Sequence, residues 1–346
     1  MSDKKESGRT EISQLGEFGL IDKIKLGAKT QNESTLKGIG DDAAVIAPVD
    51  SLTLITTDML VEGVHFDLSY MPLKHLGYKA VAVNVSDIAA MNGIPKQITV
   101  NIGLSNRFSV EAVEELYEGI SAACEAYKVD LVGGDTTTSS SGLILSITAI
   151  GNVEKDKEVY RDGAKKGDIL CATGDLGGAL IGLQVLEREK QVYLENSEMQ
   201  PQLDTYSYIV ERQLKPEARM DIIHELRDLG VVPTSMIDLS DGLASDLKHI
   251  CHESKLGAVV YEDKLPIDKQ TYDTAVEFGL DPITCCLNGG EDYELLFTIS
   301  QKDHAKLEKH PDISFIGYVE DASKGINLIT KGGSTVEIKA QGWVHF

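Results

Sequence analysis

Short apolar runs that end on an aspartate recur along this chain of 346 residues, and they limit what it can fold into. Asp58 ends Leu-Ile-Thr-Thr-Asp, Asp87 lies in Val-Asn-Val-Ser-Asp, and Asp135 lies in Gly-Gly-Asp-Thr-Thr. Asp238 and Asp241 sit in Ile-Asp-Leu-Ser-Asp-Gly, and Asp41 and Asp42 in Gly-Ile-Gly-Asp-Asp-Ala-Ala. Short apolar runs bounded by Gly, Thr and Asp read as strands, while longer stretches with apolar residues three and four apart read as helices. The alternation of the two predicts a mixed α and β protein with polar groups gathered at strand ends, where such folds place ligands.

The strands read from this pattern are Leu52 to Thr57, Gln97 to Leu104, Leu143 to Gly151 and Asp168 to Thr173. Helices are read at Gly77 to Met91, near Leu180, and at Val110 to Tyr127, the last with Val113, Leu116, Ile120, Cys124 and Tyr127 on one face. A length of 346 residues exceeds what one core supports, so two domains are expected. The polar stretch from Asn152 to Lys166 marks the division: a flexible extension over 1–14, an N-terminal domain over 15–152, and a C-terminal domain over 153–346. Glu187 to Thr205 reads as a surface excursion or helix extension.

Charge narrows the partners. With 55 acidic against 33 basic residues the net charge is −22, which repels nucleic acid and anionic membrane surfaces. The first twenty residues are mixed and charged, and no apolar run approaches the roughly 20 residues of a membrane helix, so a cytoplasmic protein is expected. Cys124, Cys171, Cys251, Cys285 and Cys286 lack framework or CxxC spacing and read as reduced core thiols.

Carboxylates gathered at strand ends repel one another and any phosphate unless hard cations neutralise both. Magnesium takes oxygen ligands, usually one or two carboxylates with phosphates and waters, and that suits Asp beside Thr56 and Thr57 with no Cys or His cluster. For Asp41 or Asp246 alone, a helix cap or turn is the better reading. Two readings stand for Thr173-Gly-Asp-Leu-Gly-Gly-Ala-Leu: backbone amides facing an anion at a helix N-terminus, or a tight strand-to-helix packing turn. It is no GxxxxGK[ST] loop. Ser240 either caps the helix bearing Leu243, Leu247 and Ile250 or keeps its hydroxyl for a ligand. Arg161, the Lys165-Lys166 pair and His65 are basic residues suited to phosphate oxygens.

Taken together, Gly40-Asp-Asp-Ala-Ala, Thr56-Thr-Asp-Met-Leu-Val-Glu-Gly-Val-His-Phe, Asn84-Val-Ser-Asp-Ile-Ala-Ala-Met, Gly133-Gly-Asp-Thr-Thr, Ile237-Asp-Leu-Ser-Asp-Gly-Leu and Gly289-Gly-Glu-Asp-Tyr-Glu-Leu resemble the thiamine-monophosphate kinase family in type and order. The resemblance runs from Leu15-Gly-Glu-Phe to Gly342-Trp-Val-His-Phe. It implies an α+β (mixed α/β), two-domain aminoimidazole ribonucleotide synthetase-like fold, with a dimer-forming N-terminal domain, a C-terminal α/β domain and a homodimer. It implies that Asp42, Thr56, Thr57, Asp58, Asp87, Asp135, Asp238 and Asp241 hold several magnesium ions, and that Tyr117, Gly134, Asp135, Arg161 and Ser240 contact ATP. His65, Glu291 and Trp343 would then face thiamine monophosphate. The indole of Trp343 suits stacking on a flat heteroaromatic ring, with packing on a neighbour as the competing use.

The reaction so implied joins ATP and thiamine monophosphate to give thiamine diphosphate. A phosphate monoester, with its second pKa of about 6, already presents an ionised oxygen, so direct in-line transfer needs no general base and no covalent nucleophile. Relatives of the same superfamily that act through cysteine carry it near one end, whereas the first cysteine here is Cys124 and the chain ends Trp-Val-His-Phe. Amide activation of the aminoimidazole ribonucleotide synthetase kind, and a non-catalytic acidic regulator binding metal or nucleotide, are the remaining alternatives.

Overall fold

The computed structural model describes residues 10–39 and 44–340. The chain packs into two compact units: the first takes in residues up to Asp50 with Ile55–Asn84 and Pro95–Gly151, the second Ser51–Leu54, Val85–Ile94 and Asn152 onward.

In the first unit, α1 (Ile12–Gly27) precedes a small antiparallel pair, β1 (Thr35–Lys37) and β2 (Val45–Ile46). Then come β3 (Leu52–Val61), α2 (Leu73–Ala90), β4 (Ile94–Leu104), α3 (Val110–Tyr127), β5 (Asp130–Thr138) and β6 (Leu143–Val153). The four longer strands form a sheet in the order β3-β6-β4-β5, with β4 and β5 parallel. β6 alternates buried and half-buried residues along its length, the pattern of a strand with one face on the core. β3 stands at the sheet edge and continues four residues past the expected Thr57, with Ile55 and Met59 exposed on the same face. α3 begins where Ser109 Oγ accepts the Ala112 N–H and ends at Lys128 in the left-handed region. It crosses α2 at Gly77 and Gly119, where neither helix carries a side chain.

The second unit holds a seven-stranded sheet in the order β13-β12-β9-β11-β7-β10-β8. Its strands are β7 (Ile169–Thr173), β8 (Ser235–Asp238), β9 (Leu256–Tyr261), β10 (Leu295–Ile299), β11 (Ile313–Asp321), β12 (Ile326–Ile329) and β13 (Thr335–Glu337). The pairs are antiparallel except β12 with β9. The helices are α4 (Gly178–Glu195), α5 (Ser207–Leu214), α6 (Met220–Asp228), α7 (Leu243–Ser254), α8 (Lys269–Glu277), α9 (Pro282–Asn288) and α10 (His304–Leu307). Leu243, Leu247 and Ile250 of α7 are buried in one cluster with Leu170, Ile237, Leu296 and Ile316 from the sheet, so the apolar stripe read in the sequence is the face that packs. Glu187 to Thr205 resolves into a helix extension, because α4 runs on to Glu195 before the chain turns away. All five cysteines are buried and unbridged. Among the described residues no helix is long and apolar enough to cross a membrane.

Candidate active site

Three of the aspartate and glycine motifs are fastened together in the second unit. β8 pairs with β10, and the pairing continues beyond both strands: Tyr293 N–H donates to the Leu239 carbonyl at 2.9 Å and Glu291 N–H to the Ser240 carbonyl at 2.8 Å. This places Asp238, Ser240 and Asp241 alongside the Gly289-Gly-Glu-Asp-Tyr-Glu loop. From that loop Asp292, buried, accepts the N–H of Gly177 at 2.6 Å and of Ala179 at 3.1 Å. The first turn of α4 therefore already faces an anion, and it is the protein's own. Of the two readings of the Thr173–Leu180 loop, the packing turn is the one the fold uses. Burial pushes the Asp292 carboxyl up to about 7 against the opposing pull of Arg212 and the two amide donors.

Ser86 joins the same region. Its Oγ donates to Asp238 Oδ2 at 2.7 Å, which brings the residue next to Asp87 against the end of β8. The Val85–Ile94 segment is anchored further on by Asn92 Nδ2 donating to the Lys157 carbonyl. Ser240 does not cap α7: the residue before that helix is Gly242, and Asp246 Oδ2 accepts the N–H groups of Asp241 and Gly242 at 3.2 and 3.1 Å. Asp246 thus takes the turn role expected for it, and Ser240 is exposed. Burial first, then the charges of Asp238 and Asp241, push the Asp246 carboxyl up to about 8. Arg161 is exposed, its carbonyl held by Ser254 Oγ, and Lys166 pairs with Glu320 and Asp321 at the surface.

The other expected residues lie in the first unit. Thr57 Oγ1 donates to the Ile147 carbonyl at 3.0 Å, and Asp58 N–H donates to Asn84 Oδ1 at 3.1 Å, so this stretch of β3 is tied on both sides. Thr56 is half-buried beside them. The Val61 N–H donates to His65 Nδ1 at 3.1 Å, which leaves the ring proton on Nε2 in the neutral form. Gly134 and Asp135 are exposed on β5, opposite Val100 and Asn101 of β4. A side chain at Gly134 would fall 1.9 Å from the Val100 carbonyl oxygen, so only glycine fits there. Tyr117 lines a groove of about 580 Å³ with Leu20, Ile24 and Val113, and burial raises its phenol pKa. Asp42 and Trp343 lie outside the described residues.

Among the described residues no three His, Cys, Asp or Glu side chains gather closely enough to hold a metal by themselves. The donor set still suits magnesium, because Asp238 and Asp241 offer oxygen only. A cation that completes its shell with phosphate oxygens needs only one or two of them.

Several supporting residues carried no readable signal. Ser86 and Asn84 act from within a quoted motif, but as partners of residues far away in sequence. Lys79, also on α2, is fully buried. Gln213 is buried on α5 and donates to Glu291 Oε2 at 2.7 Å. Glu294, 2 % exposed, sits between Arg212 and Arg219 at 3.0 and 2.7 Å.

Comparison with known proteins agrees with this architecture. Residues 40–153 match the AIR synthase related protein N-terminal domain, and residues 165–328 match its C-terminal domain. The thiamine-monophosphate kinase of Aquifex aeolicus is 36% identical over 97% of this chain and 99% of its own. The crystal structure of thiamine-monophosphate kinase from Stenotrophomonas maltophilia K279a superposes with a TM-score of 0.77 at 33% identity, covering 94% of this chain and 98% of that one. The structure of AaThiL complexed with AMPPCP and TMP gives a TM-score of 0.72 at 34% identity, over 98% and 100% of the two chains. With identity at this level across almost the full length of both partners, and both domains matched in order, the chain belongs to the thiamine-monophosphate kinase family.

Proposed function

We propose that the chain transfers the γ-phosphoryl group of ATP directly to the phosphate of thiamine monophosphate, with magnesium, in the last step of thiamine diphosphate formation. The observation that carries this reading is the fastening of the Asp238–Asp241 and Gly289–Glu294 motifs to each other and to Ser86, which builds an oxygen-only acidic site from residues far apart in the chain. A relative 34% identical over nearly the whole chain has been seen with AMPPCP and TMP, which supports a nucleotide and a second phosphate-bearing ligand here.

Asp42, Thr56, Thr57, Asp58, Asp87, Asp135, Asp238 and Asp241 are the residues assigned to hold magnesium. The metal, when bound, offsets the repulsion between the two phosphate-bearing substrates. The protein's own part is positioning. Ser86 fixes one Asp238 oxygen, and Asn84 and Ile147 hold the strand that bears Thr57 and Asp58. His65, whose Nδ1 accepts the Val61 N–H, is assigned to the organic substrate. Gly134, Asp135, Arg161 and Ser240 are assigned to ATP, together with Tyr117 in its groove, where Leu20, Ile24 and Val113 stand beside Lys23, Lys74, Glu114, Glu118 and Glu125. Glu291 and Trp343 are assigned to the organic substrate.

No residue is assigned as a covalent nucleophile, because the acceptor phosphate is already ionised near neutral pH. The exposed apolar residues Ile55 and Met59 on the edge strand β3 support a homodimer formed through the N-terminal unit, which would cover them. We place the enzyme in the cytoplasm.

The test is incubation of the purified protein with ATP, magnesium and, separately, thiamine monophosphate, free thiamine or an aminoimidazole ribonucleotide precursor, following ADP and the organic product. Thiamine diphosphate formed from the monophosphate alone supports the reading. A changed product from the precursor would move the chain to the synthetase chemistry, and a trapped phosphoprotein would refute direct transfer.

A further inference from the structure

The loop that carries Glu291 holds it in an unfavourable way. Glu291 has φ +66° and Tyr293 φ +52°, a left-handed conformation that glycine adopts freely and a residue with a Cβ enters at a cost. Two glycines, Gly289 and Gly290, stand immediately before them, yet the strained positions are occupied by Glu and Tyr. Such strain persists only where the surroundings over-determine it, and it gathers where a side chain has to be aimed.

The surroundings here do over-determine it. Glu291 N–H is bound to the Ser240 carbonyl at 2.8 Å, and the neighbouring Asp292 side chain is locked onto the first turn of α4. The carboxylate is then fixed separately, by Gln213 Nε2 donating to Oε2 at 2.7 Å. Gln213 occupies a core position of α5, 4 % exposed, on the face shared with Ile209, Val210 and Leu214. An uncharged amide in that place costs desolvation that a leucine would avoid. Its amide N–H donates, so the Glu291 oxygen it meets is the acceptor.

From this we infer that Gln213 is a positioning residue for substrate recognition: it orients the Glu291 carboxylate toward the amino-bearing, cationic heteroaromatic part of the phosphate substrate. The inference rests on the reading of thiamine monophosphate as substrate. Gln213 itself touches no substrate; its effect passes through Glu291.

The experiment is calorimetric binding of thiamine monophosphate, without ATP, to the full-length wild type and to Gln213→Leu, Gln213→Met, Glu291→Gln and the double variant Gln213→Leu/Glu291→Gln, with thermal unfolding of each. We expect Gln213→Leu and Gln213→Met to weaken binding about tenfold, the scale of one hydrogen bond to a charged group, with KM for ATP and the melting temperature unchanged. The double variant binds no more weakly than Glu291→Gln alone, because the two residues act as one unit. Gln213 variants that bind like the wild type, or losses that add in the double variant, overturn the inference while the functional reading stands. A wild type that does not bind thiamine monophosphate overturns both. Should Gln213→Leu unfold, the unbranched Gln213→Met carries the comparison.

Discussion

Gly77 on α2 and Gly119 on α3 meet at the crossing of their helices, each against the other's backbone. A Cβ on Gly77 would fall 2.0 Å from the Leu116 carbonyl oxygen, and one on Gly119 would fall 1.9 Å from that of Lys74. Intrinsic helix propensity favours alanine over glycine by about 1 kcal/mol, so an uncrowded site would gain stability from the change. Here the sign reverses: Gly119→Ala should lower stability by roughly 2 kcal/mol or more through overpacking. Urea unfolding measures it, and a midpoint equal to or above that of the wild type would refute the close crossing.

The buried Glu294 offers a contrasting case. It accepts from Arg212, Arg219 and Thr173 Oγ1, the last at 2.6 Å. Glu294→Gln removes the buried charge shared by the two guanidinium groups, leaving Arg212 with Asp292 and Arg219 with Asp221 and Asp312, and should cost about 3 kcal/mol. Lys269→Ala, which breaks the fully exposed pair with Asp273, should leave the unfolding midpoint unchanged. Equal effects of the two changes would show that burial does not govern these pairs.

Activity should depend on the acidic residues independently of folding. Asp58→Asn and Asp238→Asn keep the shape of the side chain and remove its charge, and each should reduce thiamine diphosphate formation by about 100-fold or more while the circular dichroism spectrum is retained. Chelation of magnesium should abolish turnover reversibly. Full activity of either variant would remove that residue from the site.

The thiols give a pH test. Burial pushes Cys124 and Cys251 up to about 12, with Asp130 adding to the effect at Cys124, and it raises Cys171, Cys285 and Cys286 as well. A raised thiol pKa disfavours the thiolate in the folded state, so at pH 8 only about one in ten thousand of a thiol titrating near 12 is reactive, against a substantial fraction for an unfolded cysteine near 8.5. The native protein should resist a thiol-specific disulfide reagent at pH 8, and all five cysteines should react in denaturant. Rapid labelling of the folded protein would contradict the burial.

The elements legible in the sequence are those whose signals are local. α3 is read with its observed limits because its apolar face repeats cleanly, and in the structure Ser109 caps its start and Lys128 ends it in the left-handed region. β3 is read too short, since beyond Thr57 the alternation passes through Asp58 and Glu62 and resembles a loop. The motifs of the site are legible as motifs, and the mixed α/β fold of the AIR synthase-related kind is implied by the family resemblance they carry. Their supporting contacts are not. Ser86 meets Asp238 across 152 residues, Gln213 meets Glu291 across 78, and neither has a periodicity that names its partner. A helix N-terminus filled by Asp292 is equally invisible, because sequence displays the donors and leaves open which carboxylate reaches them.

The clamp of Asp292 on α4 joins two segments that are over a hundred residues apart into one opening unit. The amide protons of Gly177 and Ala179 are bound to Asp292, so their exchange with solvent deuterium follows the release of that carboxylate, which the strained loop carries. Those two amides are therefore reporters of the loop's excursions. Slowed exchange at Gly177 and Ala179 on addition of thiamine monophosphate would record, at a helix end distant in sequence, the moment at which the loop bearing Glu291 is held shut.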